Sequence, residues 1–176
     1  MHLKSKNIIL VLVFFLTASL SAFAEYPPEG WIDSITEGIA RAEDEGKMLL
    51  LDFTGSDWCV WCQKLSTEVW NTPEFEAWSE DNLIKVFLDF PRTFTLPDDQ
   101  VMQNQLLQQY FGVQGYPTIF LLDSNLNPLL KTGYHQGGPE EYIRHLKEDR
   151  NLRVDSPEEF RTSFRGVIEK YIGPIE

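Results

Sequence analysis

The chain has 176 residues, 27 acidic against 15 basic side chains, a net charge of −12, and only two cysteines. Such acidity argues against nucleic acid and anionic membrane surfaces as partners, since both select basic surfaces. The length suits one domain with its own core, and no repeat or low-complexity tract is visible.

The N-terminus predicts the compartment. His2, Lys4 and Lys6 form a basic start before the apolar run Ile8 to Leu16, and Ala22-Phe23-Ala24 is a small-x-small cleavage signal. Residues 1–24 therefore read as a signal peptide and residues 25–176 as the mature chain, periplasmic or secreted. The alternative is an uncleaved anchor, with Ile8 to Ala24 barely long enough to span. A membrane contact is expected only in that case. An exported chain with one cysteine pair is not using disulfides as structural staples, so its cysteines are expected to react.

Asp33 or Ser34 can cap a helix through Glu45, with Ile35 and Ile39 on one face and Gly46 as its stop. Met48–Phe53 reads as a buried strand, and Asp52 is an odd residue within it. Next comes Trp58-Cys59-Val60-Trp61-Cys62, opening a helix predicted from Cys59 to about Trp70. A thiol at a helix start lies among unpaired backbone N–H groups and the positive end of the dipole, which favour a thiolate. The second cysteine sits about one turn further on, within disulfide reach, which is the geometry of a reversible redox pair. Two alternatives stay open. Zinc would need two more ligands, and His135 and His145 are too far apart for a second short-spaced pair. Two inert buried cysteines are the other.

Thr72-Pro73 restarts a short helix, with proline suited to the first position. Leu83–Leu88 is a second strand, with Lys85 expected as a strand-end surface lysine. Phe90–Pro97 holds two prolines and reads as a loop, either an ordinary surface loop or a partner-contacting lid. Asp98 or Asp99 opens a helix to Tyr110. Thr118–Leu122 and Leu129–Gly133 are strands joined by a turn, predicting a hairpin. Pro139–Asp149 is a helix. Ser156-Pro157-Glu158-Glu159 is a capping box for another, with Phe160, Phe164, Val167, Ile168 and Tyr171 on one face. This alternation predicts an α/β fold, a central mixed sheet flanked by helices.

At this point the chain resembles the thioredoxin superfamily over roughly residues 34–150, with a C-terminal helical extension at about 156–172. Leu51-Asp52-Phe53, Trp58-Cys59-Val60-Trp61-Cys62 and Gly115-Tyr116-Pro117-Thr118 carry the resemblance. It implies that Cys59 is the attacking thiolate and Cys62 the resolving thiol. Asp52 would lie beneath Cys62 and help deprotonate it, as a desolvated carboxyl with a raised pKa can near neutral pH. Pro117 would follow a cis peptide bond after Tyr116, beside the cysteine pair, where an ordinary trans turn is the alternative. Trp58, Trp61, Tyr116 and Pro117 would line the substrate groove, and Trp58 could equally be simple core packing. The sequence departs from the family in one extra residue between Asp52 and Cys59, held by Gly55-Ser56-Asp57. Lys85 matches the lysine that partners that acid in thioredoxins.

Val60-Trp61 offers no cation or histidine to stabilise the Cys59 thiolate, which favours a reductase or isomerase over a disulfide donor. The resulting expectation is an exported thiol-disulfide oxidoreductase acting on protein thiols and disulfides and serviced by a redox partner protein. No metal or cofactor is expected beyond the Cys59–Cys62 pair itself. The alternative is a non-catalytic module that binds peptides or a partner through the tyrosine-proline groove.

Overall fold

The computed structural model describes residues 26–152 and 154–175; the signal-peptide expectation for residues 1–24 lies outside them. Helix α1 spans Ile35–Glu45, capped by Ser34, whose hydroxyl accepts from the Glu37 N–H. It stops where Gly46 turns left-handed at φ 66°, a conformation that costs other residues a Cβ clash. Strand β1 (Met48–Thr54) follows, then α2 (Val60–Leu65), a π-helical segment Ser66–Trp70, and α3 (Pro73–Asn82). Strand β2 is Leu83–Asp89, α4 is Asp98–Tyr110, and β3 (Thr118–Leu122) and β4 (Pro128–Thr132) form the expected hairpin. Helices α5 (Gly138–Glu148) and α6 (Pro157–Tyr171) close the chain.

The sheet order is β2-β1-β3-β4, with β1 and β2 parallel and the other neighbours antiparallel. Ile32 adds one parallel bridge to Val86 at the β2 edge. Because β1 is covered on both faces, its alternate residues feed two cores, so the run reads as continuously apolar. Leu49, Leu51 and Phe53 point to α1, α4 and α6 through Ile35, Ile39, Leu107, Phe164 and Ile168. Leu50 faces the other way, into a core with Leu65, Trp70, Phe75, Tyr142 and Leu146 from α2, the π segment, α3 and α5. Helix α6 is part of the first core, since Phe164 and Ile168 are fully buried and Phe164 packs on Tyr110 and Phe111.

Two expectations need correction. The helix after the cysteines is not α-helical to Trp70; its last turn widens, with the Asn71 N–H reaching back five residues to the Ser66 carbonyl. Lys85 is not at the surface. It sits inside β2, opposite Leu50, on a strand buried on both faces. Its ammonium lies over the Trp31 and Phe75 rings and donates to Ser79 Oγ at 3.0 Å. Burial lowers its pKa.

Candidate active site

The site is built where β1 ends and α2 begins. The Trp58 and Cys59 N–H groups both donate to the Gly55 carbonyl, a tight turn that delivers Cys59 to the α2 N-cap. Gly55 is required by contact, since a Cβ there would lie 2.5 Å from the Trp58 indole. Cys59 and Cys62 are joined in a disulfide with their Cα atoms 5.2 Å apart. Cys59 Sγ also accepts the Cys62 N–H at 3.2 Å, so the first sulfur takes one of the orphan donors of the helix start. The two cysteines are buried to a similar degree, while Val60 and Trp61 between them are 71% and 55% exposed.

One wall of the site is the loop before β3. The Tyr116–Pro117 bond is cis, and Thr118 Oγ1 donates to the Gly115 carbonyl. The Tyr116 ring meets Trp58 edge-on at 5.7 Å and Phe90 at 5.1 Å, and burial pushes its hydroxyl up to about 12. Trp58 is packed into this wall, its indole N–H donating to the Phe90 carbonyl at 2.8 Å. The other wall is Trp61 against Tyr134 at 5.2 Å, with the Lys64 ammonium above both rings and the Tyr134 hydroxyl on Glu68. The structure joins Cys59 to Cys62 and sets Trp58, next to Cys59 in the chain, against the Tyr116 ring that precedes Pro117, with Trp61 exposed.

Asp52 lies below. It is placed on β1 between Phe87 and Ile119, fully desolvated, and burial pushes its carboxyl up to about 7 against a lowering hydrogen bond from Trp70. The Trp70 indole N–H donates to Oδ2 at 3.0 Å, and Oδ1 has no hydrogen-bond partner. A cavity of about 230 Å³ runs between Asp52 and Cys62, walled by Trp31, Trp70 and Phe87. Asp52 and Cys62 thus face one cavity despite the extra residue of the Gly55-Ser56-Asp57 turn. Lys85, aligned with the family's lysine partner, bonds Ser79 rather than Asp52.

The extra residue has a different use. Asp57 accepts the Arg92 and Thr93 N–H groups and the Thr93 hydroxyl, while Ser56 binds Asp89 through its N–H and its hydroxyl. The Phe90–Pro97 loop is thereby tied to the cysteine turn. It carries the Arg92 guanidinium to 3.6 Å above the Trp58 ring, a cation beside the site that Val60-Trp61 does not supply. Trp70 and Arg92 were missed by sequence reasoning. A tryptophan next to a buried valine signals packing only, and an arginine in a loop signals nothing.

Among the described residues no cluster of three or more His, Cys, Asp or Glu is arranged to hold a metal. His135 and His145 stack on each other at 4.2 Å, and His145 bonds Asp149 and Thr132. No helix among the described residues is long and apolar enough to cross a membrane.

The thioredoxin-like family profile matches residues 30–124. Disulfide bond reductase DsbH of Chlamydia pneumoniae is 31% identical over 121 residues, which cover 69% of this chain and 73% of that protein. The solved structure of a DsbH oxidoreductase aligns with a TM-score of 0.63 and 29% identity, covering 77% of this chain and 97% of that one. The chain belongs to the thioredoxin-like family. Within that family it is a thiol-disulfide oxidoreductase.

Proposed function

We propose that the protein reduces or isomerises disulfides of exported proteins through the Cys59–Cys62 pair. The observation that carries this reading is the pair itself, at a helix N-cap and beside the Tyr116–Pro117 loop. In the reduced enzyme the Cys59 thiolate attacks one sulfur of a substrate disulfide. A mixed disulfide forms and the other substrate sulfur leaves as a thiolate. Cys62 then gives its proton to Asp52 and attacks the Cys59 sulfur, releasing the second substrate thiol and leaving Cys59–Cys62 oxidised. Two electrons pass to the substrate, and a separate redox protein must return them. If the mixed disulfide is instead attacked by another substrate thiol, the same chemistry isomerises.

Reduction is favoured over oxidation by the similarity to the Chlamydia disulfide bond reductase and by the absence of a cation or histidine between the cysteines. Trp58, Trp61, Tyr116 and Pro117 would hold the substrate segment, with the exposed Val60 and Trp61 faces as its apolar contact. Export to the periplasm or beyond rests on the basic start, apolar run and Ala22-Phe23-Ala24 of the first 24 residues. The test is reduction of a model disulfide protein by the mature chain, with and without Cys59→Ser. Turnover that needs Cys59 is the expected result. Peptide capture without turnover would favour a binding module whose cysteines stay bonded.

A further inference from the structure

We propose that Trp70 is a positioning residue for the resolving half of the reaction, holding Asp52 Oδ2 and leaving Oδ1 as the lobe that exchanges a proton with Cys62. The inference rests on the reading of Asp52 as the acid–base partner of Cys62. It begins with an inequality between two oxygens of one buried carboxyl. Oδ2 receives the Trp70 indole N–H at 3.0 Å, and Oδ1 receives nothing. Buried polar atoms are nearly always paired, so an orphan oxygen on a fully desolvated acid calls for an explanation. Asp52, Trp70 and Cys62 line the same cavity, which is large enough for water.

The backbone is shaped for this contact. The Ser66–Trp70 turn closes over five residues instead of four, and the wider turn winds Trp70 back onto the sheet-facing side of the helix. There the ring is 4% exposed and fixed by Trp31 at 5.7 Å, Phe75 at 4.7 Å and Tyr142 at 5.0 Å. A donor held this rigidly has two effects on Asp52. It stabilises the carboxylate against the surrounding desolvation, and it fixes which oxygen is free. The other titratable groups around Asp52 are Cys62 of α2, Asp89 at the end of β2 and Tyr142 of α5. Asp89 raises the Asp52 pKa, and Lys85 on the same face of β2 is engaged with Ser79. Trp70 is therefore the sole side-chain hydrogen-bond donor to this carboxyl among the described residues.

In the step concerned, the Cys62 S–H proton moves to Asp52, the Cys62 sulfur bonds to Cys59, and the substrate thiolate departs. Losing the indole N–H makes the carboxylate harder to form. The pH at which resolution accelerates should then rise by about one unit, the size expected for one lost charge-assisted hydrogen bond. At pH 7 that makes resolution about fivefold slower.

The experiment mixes the reduced protein with an aryl disulfide and follows release of the two coloured thiols by stopped flow from pH 5 to 9. The first release reports attack by Cys59 and the second reports resolution by Cys62. In Trp70→Phe, which keeps an aromatic ring and loses the donor, the first phase should match wild type and the second should shift upward in pH. Asp52→Asn should remove the inflection, and Trp70→Phe added to it should change nothing more. A wild-type profile in Trp70→Phe would overturn the role of Trp70. An unchanged inflection in Asp52→Asn would instead overturn the reading of Asp52. Should Trp70→Phe not fold, the unsubstituted protein still decides: the Trp70 indole ¹⁵N–¹H resonance should titrate with the midpoint of the second phase and stop titrating in Asp52→Asn. An indole resonance flat across that range would overturn the proposal.

Discussion

The two faces of the sheet are equally buried and differently built. On the face covered by α1, α4 and α6 the core is apolar, and the buried amides at its margin are fully bonded. Gln103 accepts the Ile35 N–H and donates to the Asp33 carbonyl, and Asn104 donates to the Asp89 carbonyl. On the face covered by α2, α3 and α5 the same strands bury Asp52 with one oxygen unpaired and Lys85 with, among the described residues, a serine rather than a carboxylate as its partner. The first face obeys the rule that burial requires satisfaction; the second departs from it next to the cysteines. A departure of this kind lowers stability, and it falls on a residue that lines the same cavity as Cys62, as the proposed role of Asp52 requires.

The comparison is sharpest for the cysteines themselves. Cys59→Ser should lower disulfide reduction by on the order of 10³-fold or more while the fold remains, because the nucleophile is gone and the core is untouched. Cys62→Ser should leave attack intact and accumulate mixed disulfides with exported proteins, read on non-reducing gels. Ready turnover by Cys59→Ser would remove the pair from the mechanism.

On the apolar face, Phe164→Ala should cost about 3–5 kcal/mol in denaturant unfolding, equally at pH 5 and pH 8, with activity per folded molecule retained. Its side chain is fully buried against Tyr110 and Phe111, although α6 lies beyond the resembling core. A cost below 1 kcal/mol would make α6 an appendage rather than a structural layer.

Asp52→Asn should behave in the opposite sense. Burial raises the folded-state pKa of this carboxyl from 3.8 to about 7. Between those values the unfolded chain has released the proton and the folded chain holds it, so wild-type stability falls as pH rises through this window. The cost is absent below about pH 4 and complete above about pH 7. The asparagine variant should therefore gain, relative to wild type, on the order of 4 kcal/mol at pH 8 over its difference at pH 4. A pH-independent difference would mean that Asp52 is charged throughout and that the cavity is wetter than its walls imply.

Much of this arrangement was legible in the sequence because it follows from periodicity and local spacing. Leu49, Leu51 and Phe53 alternate with Leu50 and Asp52, and an acid in such a run had to be buried or misplaced. The cysteine spacing likewise pointed to the Cys59–Cys62 pair, and the resemblance to thioredoxins pointed to a cis bond before Pro117. What was not legible depends on hydrogen-bond connectivity or on distant partners. The change from a four-residue to a five-residue closure at Ser66–Trp70 leaves no compositional trace, so the Trp70 contact with Asp52 could not be read. Lys85 looked like a surface residue because charge predicts exposure. Its ammonium instead lies over the Trp31 and Phe75 rings, and Trp31 is far from it in the sequence. The pairing of Asp57 with Arg92 and Thr93 is equally invisible before the fold exists.

The smallest expected effect belongs to Arg92, and it tests whether the rim is as superficial as its exposure suggests. The Arg92 guanidinium stacks 3.6 Å over Trp58, while the loop itself is tied down through the Arg92 and Thr93 backbone N–H groups on Asp57. Arg92→Ala removes the stack and leaves those backbone bonds available. An exposed cation–π contact contributes about 0.5–1 kcal/mol, and the loss should stay in that range. It should also be the same at pH 5 and pH 8, because no buried carboxyl titrates with it, and Trp58 fluorescence should change as its face opens to water. Arg92→Lys should recover part of the loss, since an ammonium keeps the charge and loses the planar stack. Hydrogen exchange at the Arg92 and Thr93 amides should remain slow in both variants. If those amides exchange freely in Arg92→Ala, the guanidinium rather than Asp57 holds the loop. The rim would then be coupled to the cysteine turn more tightly than the backbone contacts indicate.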